Sequence, residues 1–328
     1  MNSKVTGMKT WSKLANNKRR PSEYEIVTTN LQTRHRHRNQ AYELSPAPDL
    51  PMNDWYRKHV FDSPLQHDNW EEFRDPDALI YRVYTRNQDS QEEYIDGVLN
   101  EHDDIEHDED LQPEWLDTLE TLYTPRRYLQ AALQMSAAYI LQIAPASTIT
   151  ACAGFQEGDE FRWMQRVAYR TRELQIAHPA RGFGKSERPH WETEPAWQGL
   201  RELMEKALVA YDWGESFVAN NLVAKVAADE TLRELAATAR SFGDPLLASL
   251  ADNQLRDSDR SRRWSAGLVK FCTDAKEQNR AVIQGWIEHW KPLADKAITI
   301  YCSALPESEN VADTAISRMD AFHRSLEL

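Results

Sequence analysis

The sequence predicts an all-α protein, a bundle of long helices preceded by a long irregular N-terminal arm. Three observations carry this reading. No set of alternating β-branched runs joined by Asn-Gly or Asp-Gly turns occurs, so strand signals are nearly absent. Only 11 glycines interrupt 328 residues, while apolar side chains recur at three- and four-residue intervals, the repeat of one helix face. The first 75 residues differ: Pro21, Pro46, Pro48, Pro51 and Pro64 break any long element, yet Trp11, Tyr24, Tyr42, Trp55, Tyr56, Phe61 and Trp70 supply large rings. A flexible linker rarely carries so many aromatics. Residues 1–75 therefore read as an arm that wraps over a surface and seats its rings in pockets, and residues 76–328 as the helical domain.

Within that domain Pro76 opens a helix expected from about Asp77 to Leu99, since proline is tolerated where the first-turn N–H has no partner. A short helix around Glu114 to Tyr123 follows. The next, Arg126 to Ile143, is marked by Leu129, Leu133, Ser136, Ile140 and Ile143 at three- and four-residue spacing, and Pro145 kinks or ends it. A helix from Glu160 to Ala177 is stopped by Pro179, Gly182 and Gly184. Another runs from Ala196 to about Lys225 with Leu200, Leu203, Ala207 and Tyr211 as its stripe. Helices near Glu230–Arg240, Pro245–Phe271 and Lys276–Leu305 complete the chain.

Bulk properties narrow the function classes. Cys152, Cys272 and Cys302 are odd in number and far apart, which fits a reduced cytosol and offers no Cys-x-x-Cys motif. No apolar run reaches signal-peptide or membrane-span length, so a cytoplasmic protein is expected. The net charge of −13 argues against a general nucleic-acid binder. Its distribution is uneven: up to Asn39 the chain is basic, whereas from Asn87 to Pro125 it has no Lys or Arg. Solvated faces explain such runs; a basic arm lying on an acidic partner is the sharper alternative.

The most telling short stretch is Glu160-Phe161-Arg162-Trp163. A carboxylate-bridged di-iron centre in a helical bundle takes one Glu from each of two helices and a Glu-x-x-His pair from each of two others. At that spacing both side chains point to one spot. Trp163 stands where the histidine belongs, and an indole has no in-plane lone pair for a metal. The stretch reads as a degenerate metal site, with Asp212 or Glu215 at the position of a single-carboxylate ligand. Arg162, Arg170, Arg172 and Arg201 are available to pair with buried acids, and a salt bridge in place of the metal charge is the economical reading.

Other candidates carry less. Glu187-Arg188-Pro189-His190 holds a literal Glu-x-x-His, but Pro189 restricts it to a loop or helix start. Asp257 to Trp264 supplies carboxylates without histidine, and Arg260, Arg262 and Arg263 would pair with them. The run Glu101 to Asp110 and the Arg34 to Arg38 patch read as solvated. No glycine-rich phosphate loop, Gly-x-Ser-x-Gly or Cys–His pairing occurs. No residue is therefore assigned a catalytic, cofactor-binding or metal-binding role.

Several long stretches resemble the β subunit of the hydroxylase in bacterial multicomponent toluene and alkene monooxygenases. They are residues 10–25 (TWSKLANNKRRPSEYE), 51–56 (PMNDWY), 63–84 (SPLQHDNWEEFRDPDALIYRVY), 127–150 (RYLQAALQMSAAYILQIAPASTIT), 168–174 (AYRTREL), 197–217 (WQGLRELMEKALVAYDWGESF), 263–270 (RWSAGLVK) and 290–297 (WKPLADKA). The resemblance implies a ferritin-like bundle and a two-fold assembly of αβγ protomers. In it the α chain holds the di-iron centre and the β chain binds no metal or other cofactor. It also implies an effector protein, a Rieske-type ferredoxin and an NADH reductase, serving O2 insertion into aromatic rings or across alkenes such as isoprene. The arm would lie over α, with Trp11, Arg19, Arg20, Tyr24, Trp55, Tyr56 and Trp70 as interface residues. Residues 34–38 and 101–110 depart from the toluene members, which leaves the substrate open. Two rivals remain: a stand-alone ferritin-like metal oxidase, which would bind metal in isolation, and a free-standing adaptor, which would be stable without an α chain.

Overall fold

The structure is a computed structural model, and it describes residues 21–29, 31, 51–307 and 309–328. Among these residues no strand occurs, and the all-α expectation holds. Of the arm, α1 (Glu23–Thr28) is closed by a reciprocal cap. The Ser22 N–H donates to Glu25 Oε2 at 2.9 Å, and the Glu25 N–H donates to Ser22 Oγ at 3.2 Å. These bonds satisfy donors that a helix start otherwise leaves orphaned. Helix α2 (Pro51–Tyr56) runs into a wider π turn, Arg57–Phe61.

The first long helix, α3 (Tyr81–Asp103), starts four residues later than the sequence suggests. The Asp75 carboxylate accepts the N–H groups of Asp77 and Leu79, both at 3.0 Å, so it holds a turn where helix was expected. Then come α4 (Pro113–Thr118), continued as the π segment Leu119–Tyr123, and α5 (Arg126–Ile143), whose bounds match the expectation. Helix α6 (Ser147–Ala177) is longer than expected. It begins directly after the Pro145 corner, which places Glu160 near its middle.

The helix expected from Ala196 to Lys225 is divided. Helix α8 (Pro195–Ala207) is separated by a turn from α9 (Trp213–Phe217), which passes through the π segment Val218–Ala224 into α10 (Lys225–Ser241). The break is local chemistry: Asp212 caps α9 and accepts the N–H groups of Gly214 and Glu215 at 2.9 and 3.0 Å. Helices α11 (Pro245–Ala275) and α12 (Gln278–Ser303) follow; α7 (Glu187–Thr193) lies earlier in the chain, and α13 (Val311–Ser325) was not foreseen. The α7 start agrees with the helix-start option for Pro189.

Helices α5 and α6 pack antiparallel, α10 packs on α11, and α12 fills the space between α8, α10 and α13. Where α8 crosses α12 the backbones meet: a Cβ on Gly199 would stand 2.6 Å from the Ala297 Cα. Trp115, Trp197 and Trp213 are wholly buried. Tyr56, Val60, Leu65 and Phe73 belong to the same continuous core. Packing therefore runs across residue 75, although the regular helices begin beyond it.

Candidate functional site

The bundle interior between α6, α10 and α11 is charged. Glu160 on α6 and Lys225 on α10 are both buried and form an ion pair at 2.8 Å. The same Lys225 ammonium donates to Asp229 Oδ1 at 2.9 Å and to Ser258 Oγ at 2.8 Å, and the Ser258 hydroxyl donates to Asp229 Oδ1 at 2.8 Å. Arg262 approaches Asp229 at 3.5 Å and Glu230 at 2.8 Å. Helix spacing produces this cage: Lys225 and Asp229 stand one turn apart, as do Ser258 and Arg262 on the facing helix.

A second group adjoins it. Asp257 on α11 accepts from Trp163 Nε1 at 2.8 Å, from Gln88 Nε2 at 3.1 Å and from the Arg162 guanidinium, which also lies 4.5 Å over the Trp163 ring. Asp159 accepts from Tyr84 at 3.1 Å, from Gln88 at 2.9 Å and from Arg260. Arg162 continues outward to Glu92 at 2.8 Å, and Arg166 bridges Glu92 to Asp96 at the surface. Buried acids and bases thus alternate from the core to solvent.

Burial works against the Lys225 charge, but Asp229 and Glu160 more than offset it and hold its pKa above that of an ordinary lysine. Burial pushes the Glu160 carboxyl up, while the Lys225 ammonium pulls it down. Four carboxylates, Asp159, Glu160, Asp229 and Asp257, face Arg162, Lys225, Arg260 and Arg262. These residues do not fit a di-iron centre. A metal ion would displace an ammonium already seated between Glu160 and Asp229, and Trp163 Nε1 donates a hydrogen bond where a ligand must offer a lone pair.

The residues singled out by sequence separate in space. Glu160 and Trp163 lie in this cluster. Asp212 and Glu215 stand thirteen and ten residues before Lys225 on one helical run, about 20 and 15 Å away along its axis. Asp212 also accepts from Ser63 Oγ at 2.9 Å, and burial raises its pKa. Glu187 accepts the Gly184 N–H at 2.6 Å, and His190 lies between Glu120 and Glu194 at 3.9 and 3.8 Å.

Glu101 to Asp110, expected to be solvated, is largely exposed, but His107 and Asp108 are tied down. Arg170 grips Asp108, His107 lies 3.2 Å from the buried Asp244, and His178 donates to the Asp108 carbonyl at 2.7 Å. The arginines of 257–264, expected to pair with the acids of that stretch on one helix face, turn mainly to other parts of the chain instead: Arg260 to Asp159, Arg262 to Glu230 and, at the surface, Arg263 to Asp77, while Asp257 pairs with Arg162. Sequence reasoning missed Lys225 and Asp229 and gave Ser258, inside the 257–264 stretch, no role; the available signal was that Lys225 is the only charge between Phe217 and Ala228.

Of the arm residues, Tyr24 and Tyr56 are buried within this chain, their hydroxyls accepting from the Asp75 N–H at 2.9 Å and Gln142 Nε2 at 2.6 Å. Trp70 packs edge-on against Trp213 at 4.8 Å, and Trp55 against Tyr211 at 5.0 Å. Trp11, Arg19, Arg20 and the Arg34 to Arg38 patch lie outside the described residues.

A family model described as methane/phenol/alkene hydroxylase matches residues 55–276. The hydroxylase β subunit of the toluene-4-monooxygenase system of Ectopseudomonas mendocina is 48% identical, over 91% of this chain and 90% of its own length. A solved structure of toluene 4-monooxygenase with toluene in its resting active site superposes with a TM-score of 0.87. It is 47% identical, and the match covers 93% of this chain and 99% of that one. Phenol hydroxylase from Pseudomonas sp. OX1 shares the fold, with a TM-score of 0.81 at 20% identity over 94% and 92% of the two chains. The chain belongs to the methane/phenol/alkene hydroxylase family. Within it, the chain is of the hydroxylase β-subunit type, a structural component of a multicomponent monooxygenase whose reaction needs further subunits and components. No helix among the described residues is long and apolar enough to cross a membrane.

Proposed function

We propose that this β chain frames an iron-bearing α subunit in a two-fold αβγ assembly that inserts one atom of O2 into aromatic hydrocarbons of the toluene type. Its own bundle binds neither iron nor another cofactor and performs no chemistry. The Lys225 ammonium seated between Glu160 and Asp229 carries this reading: the interior is neutralised by the protein's own cations and stays folded without metal. An effector protein, a Rieske-type ferredoxin and an NADH reductase complete the system, in the cytoplasm, with no nucleic-acid or membrane partner. The part of the arm that does not join this chain's own core holds the α subunit, with Trp11, Arg19 and Arg20 among its contacts. Large, apolar, permanent interfaces make a lone subunit unstable.

Native mass spectrometry with iron analysis of the complex recovered on this chain tests the reading. The expected result is a two-fold assembly whose iron stays with the largest subunit on dissociation. A lone chain that retains two metal ions would overturn it in favour of a stand-alone oxidase.

A further inference from the structure

We infer that the C-terminal helix α13 is a proton-released latch, held on the bundle through the neutral ring of His323. The His323 Nε2–H donates to the Leu222 carbonyl at 2.7 Å, inside the π segment that leads into α10. A carbonyl can only accept, so the hydrogen of the neutral ring sits on Nε2 and Nδ1 carries a lone pair. Nδ1 is sealed from solvent and meets no hydrogen-bond partner among the described residues. A proton added there brings a charge and a donor into a place with no acceptor, and burying an unpaired charge is costly.

The rest of the attachment is slight. Within α13 only Ala315 and Met319 are fully withdrawn from solvent. Its other ties are polar: Arg318 to Glu230 at 2.6 Å and to Glu234 on α10, and Asp320 to Lys291 on α12 at 3.0 Å. Elements with few buried apolar contacts are the ones that open locally. Release of α13 takes Arg318 away from Glu230 and leaves that buried carboxylate to Arg262 and Arg233, beside the Lys225 cage.

Few charges face the ring. On α13 itself Asp320 stands one turn before it, and Arg324 is exposed. Across from it, α12 offers Lys291, already held by Asp295 and Asp320; α10 offers Glu230 and Glu234, already held by Arg318. On α11, Arg262 lies 5.6 Å over the neighbouring Phe322 ring. The π segment carries no charge.

Burial lowers the His323 pKa, the Leu222 bond and Asp320 offset this only in part, and Lys291 adds to the fall. The latch is therefore at full strength above the ordinary histidine value of 6.5 and weakens as pH falls below it. With the released ring at that ordinary value, one pH unit below it multiplies the open population about tenfold.

Hydrogen exchange of the co-expressed hydroxylase, resolved to peptides within residues 311–325 and corrected for the intrinsic rate, tests this. Protection of α13 should fall about tenfold between pH 7.5 and pH 5.5 while that of α5 holds. His323→Gln keeps an N–H for the Leu222 carbonyl but takes no proton, and its protection should change by less than about twofold. Constant protection in the unmodified chain overturns the proposal. So does an equal fall in the glutamine variant, which would place the acid response on the Arg318 and Lys291 ion pairs. If the glutamine variant has already lost α13 protection at the higher pH, deuterium uptake at the ring carbon between the two nitrogens reads the His323 pKa in the unmodified chain. A value below the ordinary 6.5 supports the latch, and one at or above it overturns it.

Discussion

Replacing Lys225 by methionine removes the cation that Glu160 and Asp229 share while keeping the volume of the side chain. Asp229 retains Arg262 at 3.5 Å, so the loss falls mainly on Glu160, whose buried carboxyl is left without its cation. Removing one partner of a buried pair costs about 3–5 kcal/mol, a large part of the roughly 5–15 kcal/mol that keeps a domain folded. At about 2–4 °C per kcal/mol the melting temperature falls by roughly 6–20 °C, towards the lower end for a chain of 328 residues. The assay is thermal unfolding of the co-expressed hydroxylase, followed by near-ultraviolet circular dichroism at several pH values.

The pH dependence has a definite sign. Burial raises the folded-state pKa of Glu160 above its usual value even with Lys225 present, and the variant lacks that opposing charge. A carboxyl raised in this way gives its stability below the unfolded pKa and loses it as pH rises through the folded pKa. The deficit is therefore smallest in acid and grows towards neutrality. Glu160→Gln and Asp229→Asn added to Lys225→Met neutralise the interior and should recover most of the loss, because well-packed neutral replacements of buried ion pairs are often nearly neutral in stability. A Lys225→Met loss below about 1 kcal/mol, within the ordinary range for single changes, or a deficit that does not change with pH, would refute the argument that this ammonium holds the bundle interior together.

Trp163→His restores the literal Glu-x-x-His but leaves Lys225 and Arg162 in place, so elemental analysis of the purified chain should find no stoichiometric iron; stoichiometric iron would mean that the cage yields to metal. Gly199→Ala places a methyl 2.6 Å from the Ala297 Cα, and the α8–α12 crossing must open. The expected cost is about 1–3 kcal/mol, read as a lowered denaturation midpoint with unchanged helical content, and a neutral result would show that the crossing has slack.

The helices that sequence places well are those whose signals are local. Proline corners and apolar spacing bound α5 to the residue, and the absence of strand patterning settles the class. Where a side chain in space sets the boundary, the reading drifts: Asp75 holds a turn that delays α3, and Asp212 cuts the long helix expected after Ala196 by capping α9. The His107 and Asp108 contacts were hidden for the same reason, since Asp244 and Arg170 lie far away along the chain.

The sequence by itself determined that the residue three positions after Glu160 offers no ligand to a metal, because the missing in-plane lone pair of Trp163 is a local fact about an indole. Only the tertiary structure decided what neutralises the remaining acids. Lys225 reaches Glu160 across 65 positions of sequence, and Trp163 reaches Asp257 across 94. Such pairings depend on which helix faces meet, and helix periodicity states that a face is buried without stating against what.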